Sequence, residues 1–185
     1  MVPAQPTVYL GYSVDTEPDG QPHINCTGDD TDILYPPAND DEDGVTFPSV
    51  IYRNSIISIT VIASANGYLQ GWIDYNQNVN WGDPGEQIFT NKQLLPGANV
   101  LQVNIPSTAN TGWTYARFRF STVQNLTYTG SAPNGEVEDY FIRINEATPQ
   151  GFDFGDAPDS YKTLLSSNGA RHFYTPGMFL GNGID

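Results

Sequence analysis

Thr114-Tyr-Ala-Arg-Phe-Arg-Phe120 and Val137-Glu-Asp-Tyr-Phe-Ile-Arg-Ile144 decide the fold. In the first stretch Ala116, Phe118 and Phe120 share one side, and Tyr115, Arg117 and Arg119 take the other. A period of two is the mark of a strand with one face on a core. In the second stretch Tyr140, Ile142 and Ile144 form the apolar set, while Asp139, Phe141 and Arg143 lie opposite. Glu136 and Glu138 fall in phase with the apolar set. A carboxylate there needs a partner, a cation or an arginine, unless it sits at a wet rim, because burying an unpaired charge is costly.

Working outward, Ser55 to Ala63 and Asn99 to Ile105 show the same alternation, with Ile57, Ile59 and Val61 on one face and Leu101, Val103 and Ile105 on another. Gly67 to Asp74 is a weaker strand. Turn-rich pieces separate these runs: Ala65-Asn-Gly67, Leu95-Pro-Gly97 and Ala132-Pro-Asn-Gly135. The pattern predicts an all-β chain built on an antiparallel β-sandwich, jelly-roll or Ig-like, over about Val45 to Glu146. Residues 1–44 read as an acidic irregular segment with an extended arm, Val2-Pro-Ala-Gln-Pro6. Residues 147–185 read as a separate C-terminal segment. Its only helical candidate is Ser160 to Ser167, opening after Asp159 as an N-cap.

The 185 residues carry 21 acidic and 7 basic side chains, for a net charge of -14. Such a surface repels phosphate backbones and argues against nucleic acid as a partner. No apolar run approaches the roughly 20 residues of a membrane span. One cysteine cannot form an internal disulfide. Ten of the 21 acids lie between Asp15 and Asp43, and no Lys or Arg precedes Arg53. Such a block is either a solvated tail or a region rich in oxygen ligands for a cation.

The sharpest local motif is Asp74-Tyr-Asn-Gln-Asn-Val-Asn-Trp-Gly-Asp-Pro-Gly-Glu86. Asp74, Asn76, Asn78 and Asn80 recur at alternate positions, followed by Asp83 and Glu86. This spacing can aim several oxygens at one centre, as a Ca²⁺ loop requires. An Asn-rich loop of Asx turns without metal is the competing reading. Val79 stands where an EF-hand has its turn glycine, the distal glutamate is one position late, and no flanking helices are evident. Asp153, Asp156 and Asp159 form a second candidate at three-residue spacing. Asp41 and Asp43 in Asp40-Asp-Glu-Asp43 form a third, and Glu138 is a further candidate ligand.

Enzyme signatures are poor. The two histidines, His23 and His172, belong to no metal or nucleophile motif, and no phosphate-cradling glycine loop is present. Paired carboxylates such as Glu136 and Glu138 read better as ligands than as a glycosidase pair. Cys26 has no nearby base. Asn25-Cys-Thr27 and Asn125-Leu-Thr127 fit the glycosylation sequon. Met1-Val-Pro-Ala-Gln-Pro6 has neither a basic start nor an apolar run, so it does not read as a secretory leader. The expectation is a mature form or an excised piece.

The two ends repeat each other. Tyr9-Leu-Gly-x-x-Val-Asp15 matches Phe179-Leu-Gly-x-x-Ile-Asp185 at an offset of 170 residues. The match arises by chance, or from one period of a tandem array, or from head-to-tail assembly in which a terminal segment completes its neighbour.

Gly135-Glu-Val-Glu-Asp-Tyr140 resembles the signature of the GEVED domain, a family of large bacterial secreted and cell-surface proteins. Trp72-Ile-Asp-Tyr-Asn-Gln-Asn78 with Gly85-Glu-Gln87, and Ala116-Arg-Phe-Arg-Phe-Ser121, are similar to its other recurring motifs. Asp153-Phe-Gly-Asp-Ala-Pro-Asp-Ser-Tyr161 with Gly169-Ala-Arg-His172 resembles a companion segment of that family. There it usually runs on through a Leu-Gly element into an acidic stretch ending like Asp41-Glu-Asp-Gly-Val45; here those halves lie at opposite ends. The resemblance implies an extracellular, calcium-bound β-sandwich used as a structural or adhesive repeat. Asp74, Asn76, Asn78, Asp83 and Glu86 match the family's acidic loop, with Asn78 where an Asp is usual.

The sequence therefore leads us to expect a non-enzymatic extracellular module that is stabilised by Ca²⁺ and joins identical or similar units head to tail. The alternative is an adhesive or carbohydrate-binding module, with Trp72, Trp81 and Trp113 stacking on glycans.

Overall fold

The structure is a computed structural model that describes residues 8–12, 22–26, 42–146 and 152–173. The chain divides into two compact units, Met1–Glu146 and Ala147–Asp185.

The first unit is the sandwich. Its eight strands are β1 (Val45–Thr46), β2 (Ile51–Tyr52), β3 (Ser55–Ala63), β4 (Gly67–Ile73), β5 (Gln87–Leu94), β6 (Gly97–Ile105), β7 (Gly112–Ser121) and β8 (Glu136–Asn145), counted among the described residues. They form a three-stranded sheet, β1-β3-β6, and a five-stranded sheet, β2-β8-β7-β4-β5. The pairings are antiparallel except for β2, which lies parallel to β8, with Ile51 opposite Ile144. The five-stranded sheet is thus mixed, where the sequence suggested an antiparallel one.

The alternation read in the sequence becomes the core. Ile57, Ile59, Val61, Leu101, Val103 and Ile105 from one sheet face Leu69, Ile73, Ala116, Phe118, Phe120, Ile142 and Ile144 from the other. Each such large side chain contributes roughly 1.5–3 kcal/mol on burial. Phe47, Phe118 and Tyr140 meet near-edgewise, with ring centroids 5.7–6.0 Å apart.

Strand β4, read as weak, is an inner strand and buried almost throughout. Its outward-facing Gln70 and Trp72 are covered as well as its inward face. Tyr128, from the loop after β7, packs edgewise on Trp72 at 6.2 Å. Arg119 anchors that loop by donating to the carbonyls of Thr127, Thr129 and Gly130 at 2.6–2.8 Å. Burial and the neighbouring Arg117 lower its pKa from the ordinary arginine value.

Strand β5 left no apolar alternation in the sequence. It is an edge strand whose polar side chains bond sideways: Gln87 Nε2 donates to Gln70 Oε1 at 3.3 Å, and Asn91 Oδ1 accepts Gln70 Nε2. Its register on β4 shifts around Gly71.

The N-terminal segment 8–12 adds to the edge of β3. Leu10 forms an antiparallel bridge with Ala63. Gly11 N donates to Ile62 O, and Ser64 N donates to Tyr9 O, both at 2.9 Å. Val8 and Leu10 enter the core, and Leu10 is 0% exposed.

The second unit contains a two-stranded antiparallel ribbon, β9 (Phe152–Phe154) and β10 (Arg171–Phe173). The expected helix over 160–167 is replaced by two 3-10 turns, Asp159–Tyr161 and Leu165–Ser167. Lys162 between them is left-handed, at φ 65°. Asp159 Oδ1 collects Thr163 N, Leu164 N and the Ser167 hydroxyl, which diverts the two backbone donors from helical bonding. Among the described residues no helix is long and apolar enough to cross a membrane.

Candidate metal centre and the signature strand

The loop from Asp74 to Glu86 joins β4 to β5 and is closed at its base by the sheet. Asp74 N donates to Tyr115 O at 3.1 Å, and Ile73 N donates to Glu86 O at 2.9 Å. Asp74 and Glu86 are both buried. The two Asp74 oxygens accept Asn78 N at 3.2 Å and Val79 N at 2.9 Å, so this carboxylate shapes the turn. Asn76 Oδ1 also accepts Asn78 N, at 3.0 Å, and Asn80 Oδ1 accepts Gly82 N at 3.0 Å. These are the Asx turns that the residue types permit.

Two features are not accounted for by a well-satisfied turn. The first is strain at Val79, which is held at φ 67° and is 93% exposed. A β-branched residue in the left-handed region is unfavourable, and here it gains no burial in return.

The second is Glu86, which is 2% exposed. Its Oε1 accepts Tyr75 N at 3.1 Å and Asn76 N at 3.3 Å, while its buried Oε2 has no hydrogen-bond partner. Burial, then the negative charges of Asp74 and Asp83, raise its pKa from the ordinary glutamate value, against the Asn76 and Asp83 backbone bonds. The neighbouring Tyr75 hydroxyl is pushed up as well, by burial and by Glu86.

Asp83 is drawn the other way, its pKa lowered by the amides of Asn76 and Asn78. Both Nδ2 groups donate to Asp83 Oδ2, at 2.9 and 2.7 Å. Among the described residues no group of three or more His, Cys, Asp or Glu is gathered as a metal site. The loop's donor set is mostly amide and carboxylate oxygen, the set that suits Ca²⁺. The orphaned Glu86 Oε2 is the kind of buried acceptor that such an ion satisfies. Asp83, Glu86, Asn76 and Asn78 are the residues that would hold it, with Asp74 shaping the turn.

The acids of the signature strand are placed differently. Gly135 opens it at φ 104°, where a Cβ would lie 1.8 Å from Phe120 O. Glu136 Oε2 accepts Leu10 N. Glu138 is 2% exposed, and its oxygens accept Gly44 N at 2.9 Å and the Tyr140 hydroxyl at 3.0 Å. That hydroxyl in turn accepts Val45 N at 2.8 Å. Burial, then the charge of Glu138, drives the Tyr140 pKa upward. On the opposite face Asp139 takes Arg117 in a two-pronged pair, with Nε on Oδ1 at 2.7 Å. Arg117 also lies 4.3 Å from the Trp81 ring, which links the signature strand to the 74–86 loop. The partners sought for Glu138, a cation or an arginine, are in this structure a backbone N–H and a tyrosine.

Asp43 Oδ1 accepts Tyr12 N at 2.9 Å, and Asp41 lies outside the described residues. Asp153, Asp156 and Asp159 are exposed on the second unit, and the Asp159 pKa is lowered by the Ser167 hydroxyl and the Leu164 amide. Of the three tryptophans proposed for glycan stacking, Trp72 is buried. Trp81 packs against Tyr128 and Arg117. Trp113 is 55% exposed and stacks on Phe141 at 4.6 Å. The sequence reading missed Arg117 and Arg119 as organisers of this face. Their strand phase, opposite Phe118 and Phe120, was the available signal.

The architecture and its signature define a β-sandwich whose acidic motifs pin backbone and shape a loop. Residues 68–143 match the family model of the GEVED domain, and the chain carries that domain. No curated protein matches the chain.

Proposed function

We propose that this chain is a non-enzymatic extracellular building block, a Ca²⁺-stabilised sandwich that joins other units head to tail in an array or filament. The observation that carries the calcium reading is Glu86 Oε2, a buried acceptor without a donor in a loop of oxygen side chains. An ion there would offset the burial of the Glu86 carboxylate and its repulsion by Asp74 and Asp83, which raise its pKa. Calcium would act by linkage, since a ligand of the folded state alone stabilises it by about 2.7 kcal/mol at 100-fold excess over Kd. Extracellular modules bind Ca²⁺ with Kd of roughly 0.1–1 mM, so millimolar calcium is the relevant range.

The decisive experiment is a thermal melt of the full chain with Ca²⁺ and with EDTA, alongside Mg²⁺. The expected result is a Ca²⁺-specific rise in Tm that is lost in Glu86→Gln. An unchanged melt overturns the calcium reading.

A second reading, glycan adhesion, is favoured by one observation: Trp113, exposed and stacked on Phe141, with the Arg143 guanidinium 5.9 Å from its ring. Such an aromatic platform suits a sugar face. Glycan binding that vanishes in Trp113→Ala would select this reading.

A further inference from the structure

The edge of β3 is completed by a segment far away in sequence, and that segment is held at three consecutive positions, two of which select the side chain. Tyr9 is tied through its backbone, its N donating to Ser64 Oγ at 2.7 Å and its O accepting Ser64 N at 2.9 Å. Leu10 is fully buried, and its N is held by Glu136 of the signature strand, 126 residues away. Gly11 has φ 65°, and a Cβ there would fall 1.5 Å from Asp43 Oδ1 and 2.9 Å from Gly44 N. Asp43 is itself fixed by accepting Tyr12 N. The socket therefore asks for any residue with free backbone groups, then a leucine-sized apolar side chain, then glycine.

The chain contains a second stretch that meets this demand. Phe179-Leu180-Gly181 repeats Tyr9-Leu10-Gly11 in order, and Ile184 and Asp185 follow at the spacing of Val14 and Asp15. Residues 178–181 lie outside the described residues and enter the argument by sequence alone.

We propose that the Leu10 socket on β3 accepts Phe179-Leu180-Gly181 from a second copy of this chain, as an added edge strand that buries Leu180 where Leu10 lies. Strand addition of this kind draws affinity from main-chain hydrogen bonds and specificity from alternate side-chain pockets. The resident segment competes, because a tethered segment has an effective concentration on the order of mM. Exchange is therefore favoured when copies are concentrated or the resident segment is weakened. The inference rests on the reading of this chain as a unit that joins others, and it supplies the joint.

The test uses the full chain carrying Leu10→Asp, with and without Leu180→Asp. Light scattering across a concentration series should show Leu10→Asp forming assemblies while the double variant stays monomeric. A synthetic peptide spanning 177–185 should bind the double variant and raise its Tm, or restore its fold where Leu10→Asp has unfolded it. The same peptide with Gly181→Val should bind about tenfold more weakly, the penalty for a β-branched residue in the left-handed region. Equal masses for the two variants together with no peptide effect overturn the proposal, as does equal binding of the valine peptide. Each measurement is run in Ca²⁺ and in EDTA. The calcium reading fails by an EDTA-insensitive melt, and the joint fails by these masses and peptide effects.

Discussion

Two acidic regions of this sandwich look alike on paper and differ in the fold. The signature strand carries Glu136, Glu138 and Asp139 within four residues, and each accepts protein donors: Leu10 N, then Gly44 N with the Tyr140 hydroxyl, then Arg117. The 74–86 loop carries Asp74, Asp83 and Glu86. Asp74 accepts on both oxygens from its own turn, Asp83 accepts two amides on Oδ2, and Glu86 accepts on Oε1 while its buried Oε2 has no donor. The same residue type thus accepts on both oxygens at Glu138 and leaves one buried oxygen without a donor at Glu86. What separates Glu138 from Glu86 is that a protein donor reaches both oxygens of the first and only one oxygen of the second.

The comparison can be broken most severely at Glu138. Glu138→Ala leaves Gly44 N and the Tyr140 hydroxyl without their acceptor in a buried site, and should lower stability by about 3 kcal/mol. The loss should be the same in Ca²⁺ and in EDTA; a loss seen only in Ca²⁺ would make Glu138 a ligand. Next in size is the ion itself. Saturating Ca²⁺ should stabilise the chain by about 2–3 kcal/mol relative to EDTA, and Glu86→Gln should abolish most of this gain. Calorimetric melts of the two proteins in both buffers measure it.

A smaller effect sharpens the loop side. Val79→Gly relieves a left-handed β-branched residue that buries nothing, at some loss of unfolded-state order, and should stabilise by about 1 kcal/mol. Chemical denaturation in EDTA reads this directly. A destabilised variant would mean that the Val79 side chain has a contact partner when the loop is closed.

The smallest effect is in pH. Glu86 binds its proton more tightly in the fold than in the unfolded chain. Its contribution to metal-free stability therefore grows as pH falls through its raised pKa toward the ordinary glutamate range, and is lost as pH rises. Asp83, with its pKa lowered, contributes in the opposite sense: its stabilisation is present at neutral pH and disappears on acidification. In EDTA, Glu86→Gln should leave only the acid-side loss. Calcium should reverse the Glu86 trend, because the ion favours the ionised carboxylate. Melts between pH 4 and 7 compare the two proteins.

Much of the sandwich was legible. The alternation at Ile57-Ile59-Val61, Leu101-Val103-Ile105 and Ala116-Phe118-Phe120 marks faces that are buried in the structure. Phase alone placed Glu136 and Glu138 with the apolar set. Strand β5 was not legible, because its sequence from Gln87 to Leu94 is mostly polar and its Gln87 and Asn91 side chains bond to Gln70. Nor was β2, two residues long and paired parallel to β8. Gly67 to Ile73 read as weak because Gln70 and Trp72 broke the alternation. They are buried by the loop that Arg119 gathers, so both faces of the strand are covered.

The sequence by itself determined the β class, the strand faces, the loop of oxygen side chains and the repeated aromatic-Leu-Gly. Each is a local pattern, fixed by residue type and spacing. Only the tertiary structure decided which donors the acids meet. Glu136 and Glu138 find their donors on Leu10 and Gly44, 126 and 94 residues away. No local pattern encodes a bond across such a separation. It exists because the two sheets close around Leu10 and bring β8 to the edge of β3.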